Sequence, residues 1–359
     1  MDLDKRHAAD ALDAVSRAVA EWSVDLHWQR DATMADRYGP RGRQLWCSEV
    51  QIRTAHLAEA VAADRPRLFQ AHAEWSTQAF QARHCTVEDL ARSTECHAEV
   101  LSERLPQSCT RAAVEMLRST APSAARAQAA GSAPPRPRLA PEACRYLLDL
   151  MERRPDGAAA RVLELRRRGT PLAEVLGGVL APALVEVGRM WQMQEATVAD
   201  EHYCSACTLD VLARLRAEAP PVAPNGRRAV AAAVAGDLHH LGVRMVADLL
   251  ADDGWSVEYL GANMPSLELA EAVSATDGRP APDLLALGAS TTLMVRAAAD
   301  AVATVRAATA GRDAPLPVMV GGLPFSLVPD LWQVIGADGH AACAADVLPT
   351  ARRLVGAAR

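Results

Sequence analysis

The sequence predicts a multi-domain protein in which two helical regions precede an α/β domain with a doubly wound parallel sheet. Its 359 residues exceed the length of one ordinary domain. Proline-rich segments interrupt the chain at 131–141 and 219–227, where neither helix nor sheet is expected. Apolar residues recur at three- and four-residue steps before the second interruption, and buried strands alternate with amphipathic helices after it.

The composition disfavours some classes of function. Half of the residues are hydrophobic and 23% are charged, which is typical of a globular protein with sizeable cores. The net charge of −6 and the lack of a clustered basic face disfavour a nucleic-acid surface. The sequence shows neither a signal peptide nor a stretch apolar enough to span a membrane. We therefore expect a cytoplasmic protein without nucleic-acid or membrane partners.

Residues 1–130 form the first predicted domain, which is all-helical. Four stretches carry apolar residues at helical spacing, and no stretch alternates as a strand does. Asp64-Arg65-Pro66 is expected to interrupt the helices, and Thr86 is expected to begin a new one as an N-cap. This set of helices resembles a globin-like module. Residues 131–141 are the predicted linker to the next domain.

Residues 142–218 are expected to form a four-helix bundle, because four short amphipathic segments follow one another with short connections. Residues 227–359 then form the α/β domain. Its near-continuous apolar strands indicate a parallel sheet that is covered by helices on both faces. Ligands of such sheets bind outside the carboxyl ends of the strands, so functional residues are expected there.

A short motif follows the first predicted strand, which ends at Gly236. Asp237 and His239 are placed on a loop at the ligand-binding edge, and Gly242 follows at the start of the next helix. A carboxylate beside a histidine accepts a hydrogen bond from one ring nitrogen, which fixes the tautomer and makes the other nitrogen a better metal ligand. Gly242 allows a ligand to approach the backbone closely. His240 is interpreted as a surface or packing histidine.

This Asp-x-His-x-x-Gly motif resembles the signature of the B12-binding domain shared by methionine synthase and the methylcorrinoid proteins. The resemblance implies a flavodoxin-like fold, with His239 as the lower axial ligand of cobalt in place of the cofactor's own base. It also implies a slot for the nucleotide tail of cobalamin, lined by hydroxyls and closely approached by glycines. The hydroxyls correspond to Ser290, Thr291 and Thr292, and the glycines correspond to Gly321 and Gly322. Gly288 departs from the pattern, since many members have a serine there.

A second motif lies at the junction of the third and fourth bundle helices. Trp191 ends one helix and the pair Glu201-His202 lies in the first turns of the next, with nine residues between the tryptophan and the glutamate. These side chains are expected to project toward one region above the sheet. The spacing resembles the signature of light-sensing B12 domains. The resemblance implies that Trp191, Val198, Glu201 and His202 cradle the adenosyl group of adenosylcobalamin.

One position departs from the light-sensing pattern. In photoreceptor transcription factors of this kind, a histidine follows the tryptophan and ligates cobalt from above after photolysis, whereas this chain has Gln192. The sequence leaves two alternatives open for the upper ligand of the photoproduct, namely His202 and water.

The first domain shows no helix-turn-helix pattern. The order of domains instead resembles the photocobilins, photoreceptors that join a B12 photosensor to a globin-like domain that binds biliverdin. A linear tetrapyrrole needs an apolar slot, cations for two propionates and a polar group near the pyrrole nitrogens. The candidate residues are His84, His97, Arg53, Arg83, Trp46 and Trp75. The alternatives are a dimerisation module without ligand and haem bound through His84 or His97.

Together the motifs predict a photoreceptor or signalling protein rather than an enzyme. We expect photolysis of the cobalt–carbon bond to drive a conformational or oligomeric change, with a homo-oligomer and an effector protein as partners. The first alternative is a corrinoid methyl carrier of a methyltransferase system, which shares the first motif but does not require the second. The other alternative is an adaptor that has kept the fold and lost the cofactor.

Overall fold

A computed structural model describes residues 1–121, 139–274 and 280–357. The chain divides into two compact units, Met1–Pro134 and Pro135–Arg359. Most of the predicted linker 131–141 lies outside the described residues, and its last residue, Pro141, begins a helix. Within the described ranges, no helix combines the length and the apolar character that a membrane crossing requires.

The first unit is helical in the part that the structure describes. Its elements are α1 (Leu3–Arg30), α2 (Met34–Tyr38), α3 (Gly42–Ala63), α4 (Pro66–Ala82), α5 (Val87–Arg104) and α6 (Gln107–Thr120). Asp64 follows α3 in a left-handed conformation with φ of 53°, and Pro66 begins α4. The Thr86 hydroxyl caps α5 by accepting a hydrogen bond from the backbone N–H of Asp89. The globin-like arrangement of these helices stays a prediction.

The second unit begins with packed helices. They are α7 (Pro141–Met151), α8 (Pro155–Arg167), α9 (Leu172–Val175), a π-helical turn (Leu176–Leu180), α10 (Ala181–Gln192) and α11 (Val198–Ala217). The π-helical turn joins α9 to α10 without a break, so these three stretches form one long rod. Tyr146 is fully buried among the helices, and its hydroxyl forms a hydrogen bond of 2.9 Å with Thr208.

A parallel sheet of five strands occupies the described remainder of the second unit and confirms the predicted α/β fold. The strands are β1 (Arg228–Val234), β2 (Ser256–Met264), β3 (Leu284–Gly288), β4 (Val318–Gly321) and β5 (Gly339–Ala341). They pair in the order β2-β1-β3-β4-β5. The strand order reverses at β1, so the switch point of the sheet lies between the carboxyl ends of β1 and β3.

Helices connect and cover the strands. They are α12 (Leu241–Asp252), α13 (Ser266–Val273), α14 (Val295–Ala308), α15 (Leu323–Leu327), α16 (Leu331–Val334) and α17 (Ala344–Ala357), with a 3₁₀ turn (Thr292–Met294) before α14. Val328 adopts an extended conformation between α15 and α16 and so separates these two short helices. The last strand, β5, is only three residues long.

The bundle packs against helices that cover the sheet. Arg166 lies 2.9 Å from Asp252, and Arg216 lies 3.3 Å from Asp248. Both carboxylates belong to the second half of α12. One apolar core continues from the bundle into the sheet domain. The bundle and the sheet therefore belong to the same packed body.

Candidate functional site

A buried carboxylate ties the loop after β1 to the end of β3. Asp237 is only 1% exposed. Its Oδ2 accepts a hydrogen bond of 2.6 Å from the backbone N–H of Ser290, and its Oδ1 accepts one of 2.7 Å from the Ser290 hydroxyl. The backbone N–H of His239 also donates to Oδ1, at 3.0 Å. Hydrogen bonds to a charged acceptor are strong, so the two strand ends are held together at the switch point of the sheet.

His239 projects from this loop toward solvent. Its side chain is 74% exposed, and its Nδ1 lies 3.4 Å from Oδ1 of Asp237, at the long end for a hydrogen bond. The pKa of His239 is raised, chiefly by its hydrogen bond to Asp237 and against the opposing effect of burial. Burial would raise the pKa of Asp237, but hydrogen bonds from His239 and Ser290 outweigh it and lower that pKa. Such carboxylate–histidine pairs orient metal-bound imidazoles.

Asn263, at the carboxyl end of β2, supports the same loop. Its Oδ1 accepts a hydrogen bond of 2.7 Å from the backbone N–H of Gly236, and its own N–H donates to the Asp237 carbonyl at 2.9 Å. Asn263 and Gly236 both have left-handed φ values, of 52° and 82°. Asparagine and glycine adopt this conformation more easily than other residues. The sequence analysis did not identify Asn263, and the only available signal was an asparagine near the end of a predicted strand.

Glycines allow close packing around the site. Gly322 has φ of 116°, and a Cβ at this position would lie 1.9 Å from the carbonyl oxygen of Ala289. A Cβ at Gly288 would lie 3.0 Å from Cβ of Val243, which gives a packing reason for glycine where related domains have serine. A Cβ at Gly242 would meet nothing within 4 Å, so space is open above the start of α12.

The hydroxyl residues after β3 differ in their surroundings. The Ser290 hydroxyl is engaged by Asp237, and Thr292 is 5% exposed. The Thr291 hydroxyl oxygen is buried and has no hydrogen-bond partner among the described residues. Buried polar atoms normally have partners, so this hydroxyl is suited to contact a bound ligand. Gly321 ends β4 beside β3, at the same edge of the sheet. Ser290, Thr291, Thr292 and Gly321 all belong to the predicted tail slot.

The turn between α10 and α11 is well defined. Trp191 lies half-buried in the last turn of α10. Thr197 begins α11 with a capping box, in which its hydroxyl accepts from the Asp200 N–H at 3.1 Å and the Asp200 carboxylate accepts from the Thr197 N–H at 2.9 Å. Val198 follows with 51% of its surface exposed. The turn therefore places the end of one helix beside the start of the next.

A buried arginine braces this turn. Arg189 is 8% exposed and lies 2.8 Å from Glu186 and 2.5 Å from Glu195. Gln192, which stands where the light-sensing pattern has a histidine, is also buried, with 5% exposed. The ion pairs of Arg189 with Glu186 and Glu195 thus stabilise the connection from Trp191 to α11.

Glu201 and His202 form a second carboxylate–histidine pair. Oε2 of Glu201 lies 2.6 Å from Nδ1 of His202, and Oε1 accepts a hydrogen bond of 2.7 Å from the Ser205 hydroxyl. The His202 side chain is 76% exposed. The charge of Glu201 contributes to the raised pKa of His239, after the larger effects of Asp237 and burial. The start of α11 therefore lies near enough to the loop after β1 for the charge of Glu201 to act on His239.

His240 does not share this exposure. Its Nδ1 lies 2.5 Å from the Tyr259 hydroxyl, and the two rings are stacked. Adjacent histidines thus differ in their surroundings, since only His239 pairs with the buried carboxylate.

Three of the residues predicted to contact a bilin lie inside the first unit. Trp46 and His97 are fully buried, and Arg53 is 5% exposed. Arg53 lies 3.6 Å from Glu49. Burial lowers the pKa of His97 well below its ordinary value, and the charge of Arg53 adds to this effect, so the two residues are neighbours. Trp46 instead packs against Phe80, with ring centroids 5.4 Å apart.

The other three predicted bilin contacts lie nearer the surface. Trp75 is 42% exposed on α4. His84 is exposed in the loop after α4 and has a left-handed φ of 62°. Arg83 donates to the carbonyl of Ala79 at 2.8 Å and so closes the end of α4. The structure therefore brings Arg53 and His97 together but does not show the six predicted residues at one place.

Two stretches of the second unit match known sequence families. Residues 144–216 and residues 227–349 each match a family described as a B12 binding domain. Together the two matches cover most of the second unit. The first match covers most of the bundle, and the second covers the sheet with its helices.

Similar proteins are known in bacteria and archaea. The HTH-type transcriptional repressor CarA of Myxococcus xanthus is 34% identical over 164 residues, which are 45% of this chain and 52% of CarA. CarH, an HTH-type transcriptional repressor of the same organism, is 32% identical over 152 residues, 42% of this chain and 48% of CarH. The chain therefore spans about half the length of these relatives.

A solved structure shares the fold. The monomethylamine corrinoid protein of Methanosarcina barkeri superposes with a TM-score of 0.50 at 20% identity, over 58% of this chain and 95% of its own. At this level of identity, the likeness shows the fold alone.

The residues at the sheet edge fit a cobalamin. Imidazole nitrogen is a suitable ligand for first-row transition metals, and Asp237 orients His239 as a carboxylate orients a metal-bound imidazole. The open space above Gly242 and the unpartnered Thr291 hydroxyl provide room and a polar contact for the nucleotide tail. His239 would hold the cobalt from below, which is the role that the Asp-x-His-x-x-Gly motif implies.

Proposed function

We propose that the protein is a light sensor that binds adenosylcobalamin through His239 and responds to photolysis of its cobalt–carbon bond. The observation that carries this proposal is the presence of two carboxylate–histidine pairs, Asp237–His239 on the sheet and Glu201–His202 on the bundle, with the charge of Glu201 acting on His239. The sheet side offers a lower ligand, and the bundle side covers the upper face. The similarity to repressors supports a signalling role rather than catalysis.

The residues of the loop after β1 and of the turn between α10 and α11 have separate roles in this proposal. When bound, the cofactor supplies a bond that light breaks. Asp237 holds His239 in one orientation, with the Nδ1 proton toward the carboxylate. Trp191 and Val198 provide apolar surface for the adenosyl group, and the Glu201-His202 pair provides polar contacts to it. After photolysis the bundle loses contacts that only the intact cofactor supplies, so its arrangement over the sheet shifts.

We propose that this shift changes the oligomeric state of the protein or its contact with an effector protein.

Biliverdin in the first unit is a second part of the proposal. Buried nitrogen atoms without a partner among the described residues support an internal ligand there, since such atoms normally find one. They belong to His27, Trp46, His72 and His97.

Absorption spectra before and after green light test both parts. The protein is loaded with adenosylcobalamin and with biliverdin, and the spectra are recorded in the dark and after illumination. We expect a cobalamin spectrum that converts on illumination beside a red-absorbing bilin band. His239→Ala should lose the cobalamin signal, whereas His240→Ala, which changes the neighbouring histidine, should keep it.

The other outcomes contradict separate parts of the proposal. A bound cobalamin whose spectrum ignores light would refute the photoreceptor role and favour the corrinoid methyl carrier. A missing red band would leave a sensor with cobalamin as its sole chromophore.

A further inference from the structure

We infer that Arg153 is a positioning residue of the proposed site, which holds the first turns of α11 so that they select cobalamins with an adenosyl group. This inference rests on the proposed function and adds a residue that neither sequence motif contains. Its basis is a strained backbone position whose side chain makes two contacts at the start of α11.

Arg153 stands where the end of a helix usually has glycine. It follows α7 with a left-handed φ of 59°. The backbone N–H of Arg154 donates to the carbonyl of Asp149 at 2.8 Å, and the N–H of Arg153 donates to the carbonyl of Leu150 at 3.0 Å. These two bonds define a Schellman motif, whose left-handed residue is usually glycine because a Cβ there is strained. Strained positions that keep a side chain cluster at ligand-binding and active sites.

The Arg153 side chain holds α11 through two residues. Its guanidinium pairs with Oδ1 of Asp200, and its Cζ lies 4.1 Å from the centroid of the Tyr203 ring. Residues three apart lie on the same face of a helix, so one arginine contacts both. A guanidinium is suited to this arrangement, because it pairs with a carboxylate and also lies over aromatic rings.

Asp200 connects this contact to the cap of α11. Its Oδ2 accepts hydrogen bonds from the N–H and the hydroxyl of Thr197, at 2.9 and 2.6 Å, and its Oδ1 accepts from Arg153. The two carboxylate oxygens thus have different partners. Arg153 therefore acts on the residue that fixes where α11 begins.

Arg153 contacts the side of α11 opposite to the predicted adenosyl contacts. At about 100° per residue, Val198, Glu201 and His202 fall within an arc of about 100° around the helix axis. By the same measure, the two residues that Arg153 contacts lie on the other side of the helix. Arg153 can therefore fix the rotation of α11 without occupying the space in front of these three side chains.

This arrangement predicts an effect on selectivity between cobalamins. Without the Arg153 side chain, the first turns of α11 would have more freedom, and binding of the adenosyl group would have to order them. Hydroxocobalamin has no organic upper group, so its affinity should not depend on that order. An exposed ion pair and a cation–π contact together correspond to an affinity change of about 3- to 30-fold.

Arg153→Gly is the informative variant, because glycine adopts the left-handed φ without strain and so keeps the turn. Arg153→Lys keeps a positive charge but lacks the flat guanidinium. Arg214→Ala is the matched control. Arg214 forms a similar ion pair with Asp156 at 3.1 Å, its side chain is 50% exposed against 47% for Arg153, and it lies near the other end of α11.

The full-length protein and each variant are titrated in the dark with adenosylcobalamin and, separately, with hydroxocobalamin. Urea unfolding of the apoproteins reports whether the variants stay folded. We expect Arg153→Gly to lower the adenosylcobalamin affinity about 3- to 30-fold while the hydroxocobalamin affinity stays unchanged. Arg153→Lys should show a smaller loss, and Arg214→Ala should keep the wild-type ratio of the two affinities.

An unchanged ratio in Arg153→Gly, or an equal fall in both affinities, would overturn the inference. The same change of ratio in Arg214→Ala would also overturn it, because the effect would then belong to the bundle as a whole. A wild-type adenosylcobalamin complex whose spectrum ignores light would refute the proposed sensor, and the ratio would still decide the role of Arg153. A wild-type protein that binds neither cobalamin would overturn both.

Discussion

Replacing Asp237 by asparagine tests whether one carboxylate both orients His239 and supports the loop. The carboxylate accepts from three donors, the Ser290 N–H, the Ser290 hydroxyl and the His239 N–H, at 2.6, 2.7 and 3.0 Å. An asparagine keeps one acceptor oxygen, but its NH2 group replaces the other oxygen and cannot accept a hydrogen bond from the donor that faces it. Asp237→Asn therefore leaves at least one buried N–H without an acceptor, at a cost of about 1–3 kcal/mol in stability.

Asp237→Asn is also expected to weaken cobalamin binding, independently of its effect on stability. This loss of affinity should be larger at neutral pH than at acid pH. Loss of a carboxylate behind a metal-bound histidine commonly lowers affinity about 10- to 100-fold, or roughly 1.4–2.8 kcal/mol. Metal binds the neutral imidazole, and Asp237 is the largest cause of the raised pKa of His239. As the pH is lowered, the cobalamin affinity of the wild type therefore begins to fall before that of Asp237→Asn. Below the ordinary histidine pKa, the difference in affinity between the two proteins becomes smaller.

Equilibrium titration of the apoprotein with hydroxocobalamin at pH 8 and pH 6 measures the loss of affinity and its dependence on pH. Asp248→Asn is the matched control, because Asp248 is similarly buried at 7% exposed and pairs with Arg244 and Arg216 rather than with His239. The control is expected to lose stability and to keep its affinity. Equal affinities for Asp237→Asn and the control at pH 8 would refute the role of Asp237 in orienting His239.

Three further predictions concern separate features. In Gly322→Ala a Cβ would lie 1.9 Å from the Ala289 carbonyl oxygen, so we expect the free energy of unfolding in urea to fall by at least about 3 kcal/mol. In the control Gly188→Ala the added Cβ meets nothing within 4 Å, and the free energy of unfolding should not fall. Equal losses in the two variants would contradict this prediction. Burial lowers the pKa of His56 to about 4, so unfolding below about pH 6.5 takes up a proton at this residue. His56 alone should then contribute a loss of about 2 kcal/mol in the free energy of unfolding between pH 7 and pH 5, which adds to the losses from the other buried histidines of the first unit. A pH-independent urea midpoint would argue against buried neutral imidazoles. Tyr146→Phe removes the 2.9 Å hydrogen bond to Thr208 and should cost about 1 kcal/mol, and an unchanged midpoint would show that this bond contributes nothing.

The sequence predicts the second unit well because its signals are local. Apolar runs mark the strands, and the spacing of Asp237 and His239 from the end of β1 places both at the ligand edge without knowledge of any other segment. Asn263 was missed because its role depends on a neighbour far away in the chain. A hydrogen bond to a loop 26 residues earlier leaves no pattern in the sequence.

The first unit shows where residue counting fails. Aromatic, basic and histidine residues are abundant there, yet their types do not reveal which of them share a pocket. On α3, Trp46, Glu49 and Arg53 are all buried, so polar and apolar residues alternate within the same buried surface. A helix without a clear apolar stripe does not disclose its orientation, because the usual argument depends on that stripe. Trp75 on α4 and His84 in the loop that follows were also predicted as bilin contacts, and both lie at the surface.

The ion pairs between the bundle and α12 have a mechanical consequence. Arg166–Asp252 and Arg216–Asp248 both lie at the end of the bundle remote from His202. They anchor that end of the bundle to α12. The first turn of α11 lies about 22 Å from Arg216 along the helix axis, so a tilt of about 10° about this anchor would move that turn by roughly 4 Å. A rotation about the two ion pairs would therefore displace the start of α11 far more than its end.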